Sequence, residues 1–148
     1  MPMVGARKLV FDTSVYISAI RGGLVSPAFR ALQEGLPRTH LASVVSAELR
    51  AGATTTAARH AVRRFTRWAE KVGRVVTPSA ASWNGAGDIL AQIRAQEPHL
   101  RSKVSTLWND LLIAASARQI GAAVVTENAE DFELLRRYLR FEIRALCA

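Results

Sequence analysis

Four carboxylates stand out by their settings. Asp12 ends the apolar run Leu9-Val10-Phe11 and is followed by Thr13 and Ser14. Glu48 is the only acid in Val44-Val45-Ser46-Ala47-Glu48-Leu49. Asp110 lies in Leu107-Trp108-Asn109-Asp110-Leu111-Leu112-Ile113-Ala114-Ala115, which is apolar on nearly every helical face. Asp131 follows the apolar run Ala122-Ala123-Val124-Val125-Thr126 and then Asn128. Carboxylate oxygens are the hard ligands that Mg²⁺ and Mn²⁺ prefer. Brought together, these acids would hold one or two such ions, activate a water and stabilise charge on a phosphoryl group.

Each acid has a plainer explanation beside this one. Asp12 fits an N-cap between a strand and a helix. Glu48 fits an exposed acid near a helix start, favoured by the macrodipole. Asp110 fits a helix-start Asp bonding local amides, although a carboxylate on a buried helix is costly unless paired, protonated or cation-bound. Asn128 and Asp131 fit a variant of the capping box. Glu127, Glu130 and Glu133 are expected to be solvated. The conjunction weighs more than its members: two acids follow strands, and two lie on helices able to flank the same sheet edge. Clustered without metal they would repel one another, and at least one would have a raised pKa.

The elements that position these acids follow from hydrophobic period and from Gly, Pro and cap residues. The pattern predicts strands over 8–11, 39–42, 74–77, 122–125 and 141–146. It predicts helices over 14–21, 26–35, 43–52, 55–72, 78–96, 105–120 and 128–138. Ser43 reads as an N-cap, 97–103 as a polar loop, and Gly85 and Gly87 as weak points of their helix. The alternation argues for a small, mostly parallel sheet of four or five strands sandwiched by helices, an α/β fold.

At 148 residues, with 49% hydrophobic and 22% charged, one soluble globular domain spanning 1–148 is expected. No apolar run approaches the ~20 residues of a membrane helix. Met1 to Lys8 lacks a signal-peptide h-region, and Cys147 is the single cysteine, so a cytoplasmic location is expected. Net charge is +8 with pI near 11, which suits a polyanionic partner, or alternatively a soluble surface rich in Arg. Arg59, Arg63 and Arg67 recur every four residues on one helix face and read either as phosphate contacts or as a solvated face.

On these residues the chain resembles the PIN-domain ribonucleases, and within them the VapC-like toxins of prokaryotic toxin–antitoxin pairs. The most specific match is Asn109-Asp110-Leu111-Leu112-Ile113-Ala114-Ala115, Gly121, and then Thr126-Glu127-Asn128-Ala129-Glu130-Asp131-Phe132. Asp12-Thr13-Ser14 and Glu48 in a Ser-x-x-x-Glu-Leu setting match too. The resemblance implies a PIN-like fold and Mg²⁺- or Mn²⁺-dependent RNA cleavage that leaves a 3′-hydroxyl and a 5′-phosphate. It implies Asp12, Glu48, Asp110 and, more variably, Asp131 as catalytic metal acids, with Thr13, Thr126 and Asn128 supporting them. It also implies a homodimer silenced by a cognate antitoxin, for which Val15, Leu24 and Trp68 are candidate contacts. Three other readings stay open. One is a nuclease on structured DNA. Another is a non-catalytic RNA- or partner-binding module. The third is a phosphatase with Asp12 as nucleophile, disfavoured because Ser14 stands where a second Asp is wanted.

Overall fold

Strand β1 (Leu9–Phe11) and strand β4 (Ala123–Thr126) are buried at every position, as expected of parallel strands covered on both faces. The structure, a computed structural model, describes residues 7–146; Cys147 and most of the Met1–Lys8 segment lie outside the described residues. In chain order the elements are β1, α1 (Thr13–Gly22), α2 (Pro27–Gly35), β2 (Leu41–Ala42), α3 (Ser43–Gly52), α4 (Thr56–Lys71), β3 (Val75–Val76), α5 (Ala80–Gln96), α6 (Val104–Ile120), β4, α7 (Ala129–Leu135) and β5 (Glu142–Ala145).

All described strand pairs are parallel. The order β1-β4-β5 makes a three-stranded sheet, and β2-β3 a two-stranded one. The expected ladder of four or five strands therefore stops at three. A single bridge, Leu9 to Thr39, joins the two parts, with the His40 amide bonding the Leu9 carbonyl on one side and the Leu41 amide the Arg74 carbonyl on the other, each at 2.8 Å. The register pairs Phe11, the last residue of β1, with Val125, so Asp12, just past β1, meets Thr126, the last residue of β4, at the carboxyl edge, where open α/β sheets bind ligands.

Helix starts follow local chemistry. Ser26, Thr55 and Ser79 each accept a bond from the amide three residues on, satisfying donors that a helix leaves free. Ser43 does not cap. The cap position is Ala42, because β2 runs straight into α3 and Ser43 is already helical. α5 is continuous through Gly85 and Gly87. Residues Pro98–Lys103 form a 3-10 helix rather than an open loop. The last helix ends at Leu135, three residues short of the expected Tyr138.

α6 is the central helix. Leu107, Leu111, Leu112, Ile113, Ala114 and Ala117 are all buried, so it packs on every face, as its apolar pattern requires. It closes at Gly121, in the left-handed region at φ 69°, where glycine is favoured. α2 lies close against β1: a Cβ on Gly35 would stand 2.9 Å from Leu9 Cδ1 and 3.1 Å from Phe11 Cζ. Among the described residues, no helix is long and apolar enough to cross a membrane.

Candidate metal centre

Asp12 is the N-cap of α1, accepting the Val15 amide at 3.3 Å on Oδ1, so the capping explanation holds. It does not exhaust the residue. Ser14 also donates to Oδ1, and Thr126, from the end of β4, donates to Oδ2. Asp12 is only 4% exposed. Burial pushes its carboxyl pKa up, while the bonds from Ser14, Thr126 and Val15 pull it partly back.

Glu48 is half-buried rather than exposed. Thr13 donates to Oε1 at 2.7 Å and Asn109 to Oε2 at 3.2 Å. Three helices, α1, α3 and α6, thus share this one carboxylate. Asn109 was visible in the sequence only as a polar residue beside Asp110; its role as a bridge to Glu48 needs the helix crossing to be seen.

Asp110 lies past the first turn of α6, where the backbone amides are already taken by the helix itself. The helix-start explanation fails there. Its Oδ2 is buried without a hydrogen-bond partner. Burial first, then the charges of Asp12, Asp131 and Glu48, push its pKa up to about 7. The influence of those three groups brings all four acids into one electrostatic neighbourhood.

Asp131 sits on the rim. Asn128 Nδ2 donates to its Oδ2 at 2.9 Å, and Lys103 Nζ stands 3.5 Å from Oδ1. Asn128 makes no side-chain cap bond to the helix backbone, so the expected capping box is replaced by this side-chain pair. The Asn128 amide instead donates to Thr126 Oγ1 at 2.8 Å. Glu127, expected to be solvated, is half-buried and takes a bond from Ser18 Oγ at 2.5 Å, which ties α1 to the end of β4. Glu130 and Glu133 are exposed as expected.

The residues fit a hydrated hard dication. All the donors are carboxylate oxygens, and one, Asp110 Oδ2, is buried with nothing to offset its charge. Among the described residues, no three such groups converge tightly enough to enclose an ion directly. Mutually repelling carboxylates, with Asp12, Glu48 and Asp131 each held by hydroxyl or amide donors, account for that spacing, and Mg²⁺ commonly keeps several waters between itself and protein.

The arginine row divides. Arg59 bonds the Ala53 and Thr54 carbonyls at 3.3 and 3.1 Å, closing the end of α3, whereas Arg63 and Arg67 are exposed. The proposed partner contacts divide as well. Val15 is core and Trp68 half-buried, but Leu24 is 75% exposed. Leu24 lines an apolar groove of about 760 Å³ with Tyr16, Ile20, Leu36, Ala58 and Phe65, bounded by α1, α2 and α4.

The family pattern described as PIN domain matches residues 9–138. The chain belongs to the PIN-domain family. Its fold is similar to that of a DNA-bound VapBC from Salmonella typhimurium, at TM-score 0.65 and 22% identity, covering 95% of this chain and 99% of that one. It is similar too to VapBC-1 from nontypeable Haemophilus influenzae, at TM-score 0.62 and 20% identity over 93% and 97%. FitAcB from Neisseria gonorrhoeae gives TM-score 0.60 and 21% identity over 91% and 95%. At such identities the likeness is one of fold. No curated protein matches the sequence.

Proposed function

We propose that this chain is a Mg²⁺- or Mn²⁺-dependent endoribonuclease, the toxin of a two-protein pair, acting in the cytoplasm as a homodimer and neutralised by a cognate antitoxin. The observation that carries the nuclease reading is Asp110: a donorless buried oxygen whose pKa is raised by burial and by the charges of Asp12, Asp131 and Glu48. Membership of the PIN family supports the same chemistry.

Asp12, Glu48 and Asp110 would hold the ion, with Asp131 on the rim. When bound, the ion supplies an activated water and stabilises charge on the phosphoryl oxygens. Ser14 and Thr126 fix Asp12, while Thr13 and Asn109 aim Glu48. These bonds hold the carboxylates in place before substrate arrives, which lowers the reorganisation needed at reaction. Attack of a water oxygen on phosphorus with departure of the 3′ oxygen leaves a 3′-hydroxyl and a 5′-phosphate. A net charge of +8 around an acidic centre suits a polyanionic substrate.

The antitoxin reading draws on the fold likeness to VapBC and FitAcB and on the apolar groove with its exposed Leu24 and Ile20. Expression of the chain alone tests the whole proposal. Growth arrest that is relieved by Asp12→Ala and by Asp110→Asn is the expected result. Arrest that persists with a folded Asp110→Asn variant contradicts it.

A further inference from the structure

Among the described residues, Lys103 is the only cation ion-paired to one of the four clustered acids. It ends the 3-10 helix Pro98–Lys103, immediately before α6, the helix that carries Asn109 and Asp110. Its side chain is 52% exposed while that of Asp131 is 13% exposed. An ion pair so open to water contributes little to stability. What the pair does achieve is position: an ammonium held at the mouth of an acidic site. It lies on the wall of an open pocket of about 370 Å³, which His99 and Arg137 line together with the acids Glu97, Glu130 and Glu133, so Lys103 is the cation that faces Asp131 there.

Asp131 differs from the other acids. One of its oxygens faces Lys103 and the other accepts from the Asn128 side-chain Nδ2, so its charge is already offset. Asp110 Oδ2 has nothing. Lysine presents phosphate with a compact charge and three donors on a flexible stem, able to keep one donor on Asp131 while offering the others outward. We propose that Lys103 binds a phosphate oxygen of the RNA strand beside the metal centre, and that Asp131 serves as its positioning residue rather than as a metal ligand. This rests on the metal-nuclease reading above and assigns within it the step that grips the substrate.

The test compares wild type with Lys103→Ala, Lys103→Arg, Asp131→Asn, the Lys103→Ala/Asp131→Asn double variant and Asp110→Asn. Mn²⁺ binding is followed by electron paramagnetic resonance. Binding of a fluorescein-labelled single-stranded oligoribonucleotide of mixed sequence is measured in Ca²⁺ buffer over a range of salt. Lys103→Ala should bind Mn²⁺ as wild type does but bind the oligoribonucleotide about tenfold more weakly, with a salt slope lower by about one. Lys103→Arg should restore most of that affinity. Asp131→Asn should keep its Mn²⁺ and lose part of the RNA affinity, and the double variant should be no weaker than Lys103→Ala. Unchanged RNA affinity in Lys103→Ala, or loss of Mn²⁺ binding in Asp131→Asn, overturns the proposal while Asp110→Asn remains defective in Mn²⁺ binding. Normal Mn²⁺ binding by Asp110→Asn overturns the nuclease reading itself, and this proposal with it.

Discussion

Thr13 Oγ1 donates to Glu48 Oε1 at 2.7 Å across 35 positions of sequence, so the residue after Asp12 aims the next acid of the centre. Thr13 is the first residue of α1 and Glu48 lies in α3. The bond therefore couples the end of β1 to a helix that the strand does not adjoin in the chain. Residues that orient metal ligands are worth about 10–100-fold in metal affinity or activity. Thr13→Val should lose that much RNA cleavage while keeping the fold, and Thr13→Ser should recover most of it. Equal activity in Thr13→Val, measured on the same RNA, would show that Glu48 needs no such guide.

The raised pKa of Asp110 sets a stability trend in metal-free protein. Its folded value of about 7 lies above the ordinary 3.8, so the folded state holds this proton more tightly than the unfolded chain does. The associated stability is fully present below about pH 4 and is lost as pH rises towards 7. Asp12, also raised, acts in the same direction. Thermal unfolding in chelator should show this decline, and Asp110→Asn should flatten it. Added Mg²⁺ or Mn²⁺ should offset the loss near pH 7. A decline of the same size in Asp110→Asn would assign the trend to other groups.

Gly35 offers a check on how firmly β1 is seated. A Cβ there meets Leu9 and Phe11 side chains at 2.9 and 3.1 Å, and those residues lead directly to Asp12. Gly35→Ala should cost about 1–3 kcal/mol by overpacking, read as a lower midpoint in urea, with some loss of cleavage as β1 shifts. A neutral or stabilising result would mean that α2 slides away freely.

The arginine row yields two different outcomes. Arg59→Ala should weaken the closure of α3 and lower stability without altering the salt dependence of RNA binding, because its guanidinium is occupied by backbone carbonyls. The double variant Arg63→Ala/Arg67→Ala should leave stability unchanged and lower the salt slope, by about one for each phosphate that is no longer neutralised. An unaltered slope in the double variant would make that face merely solvated.

Much of this was legible in sequence because local chemistry decided it. An apolar run ending in Asp12 reads as a covered strand reaching the sheet edge, and the nearly all-apolar surroundings of Asp110 read as a central helix. Ser26, Thr55, Ser79 and Gly121 marked helix ends through bonds that span a few residues. What escaped notice depends on packing between distant segments. Asn109 reaching Glu48, Ser18 reaching Glu127 and Lys103 reaching Asp131 are bonds over 61, 109 and 28 positions, and no periodicity encodes them. Ser43 misled because a cap residue also fits the first helical turn when a strand enters a helix without a loop. The sheet is smaller than expected because β2 and β3 are only two residues each and pair with each other, the link to β1 being the single bridge from Thr39, ahead of β2, to Leu9.

The most direct test of the metal-dependent ribonuclease is cleavage of total cellular RNA by the pure protein, wild type beside Asp110→Asn, with Mg²⁺, with Mn²⁺ and with chelator. Discrete fragments that require both a metal and Asp110 are the expected result. Fragments that persist in chelator or with Asp110→Asn, or no fragments from a folded wild type that binds Mn²⁺, would contradict it.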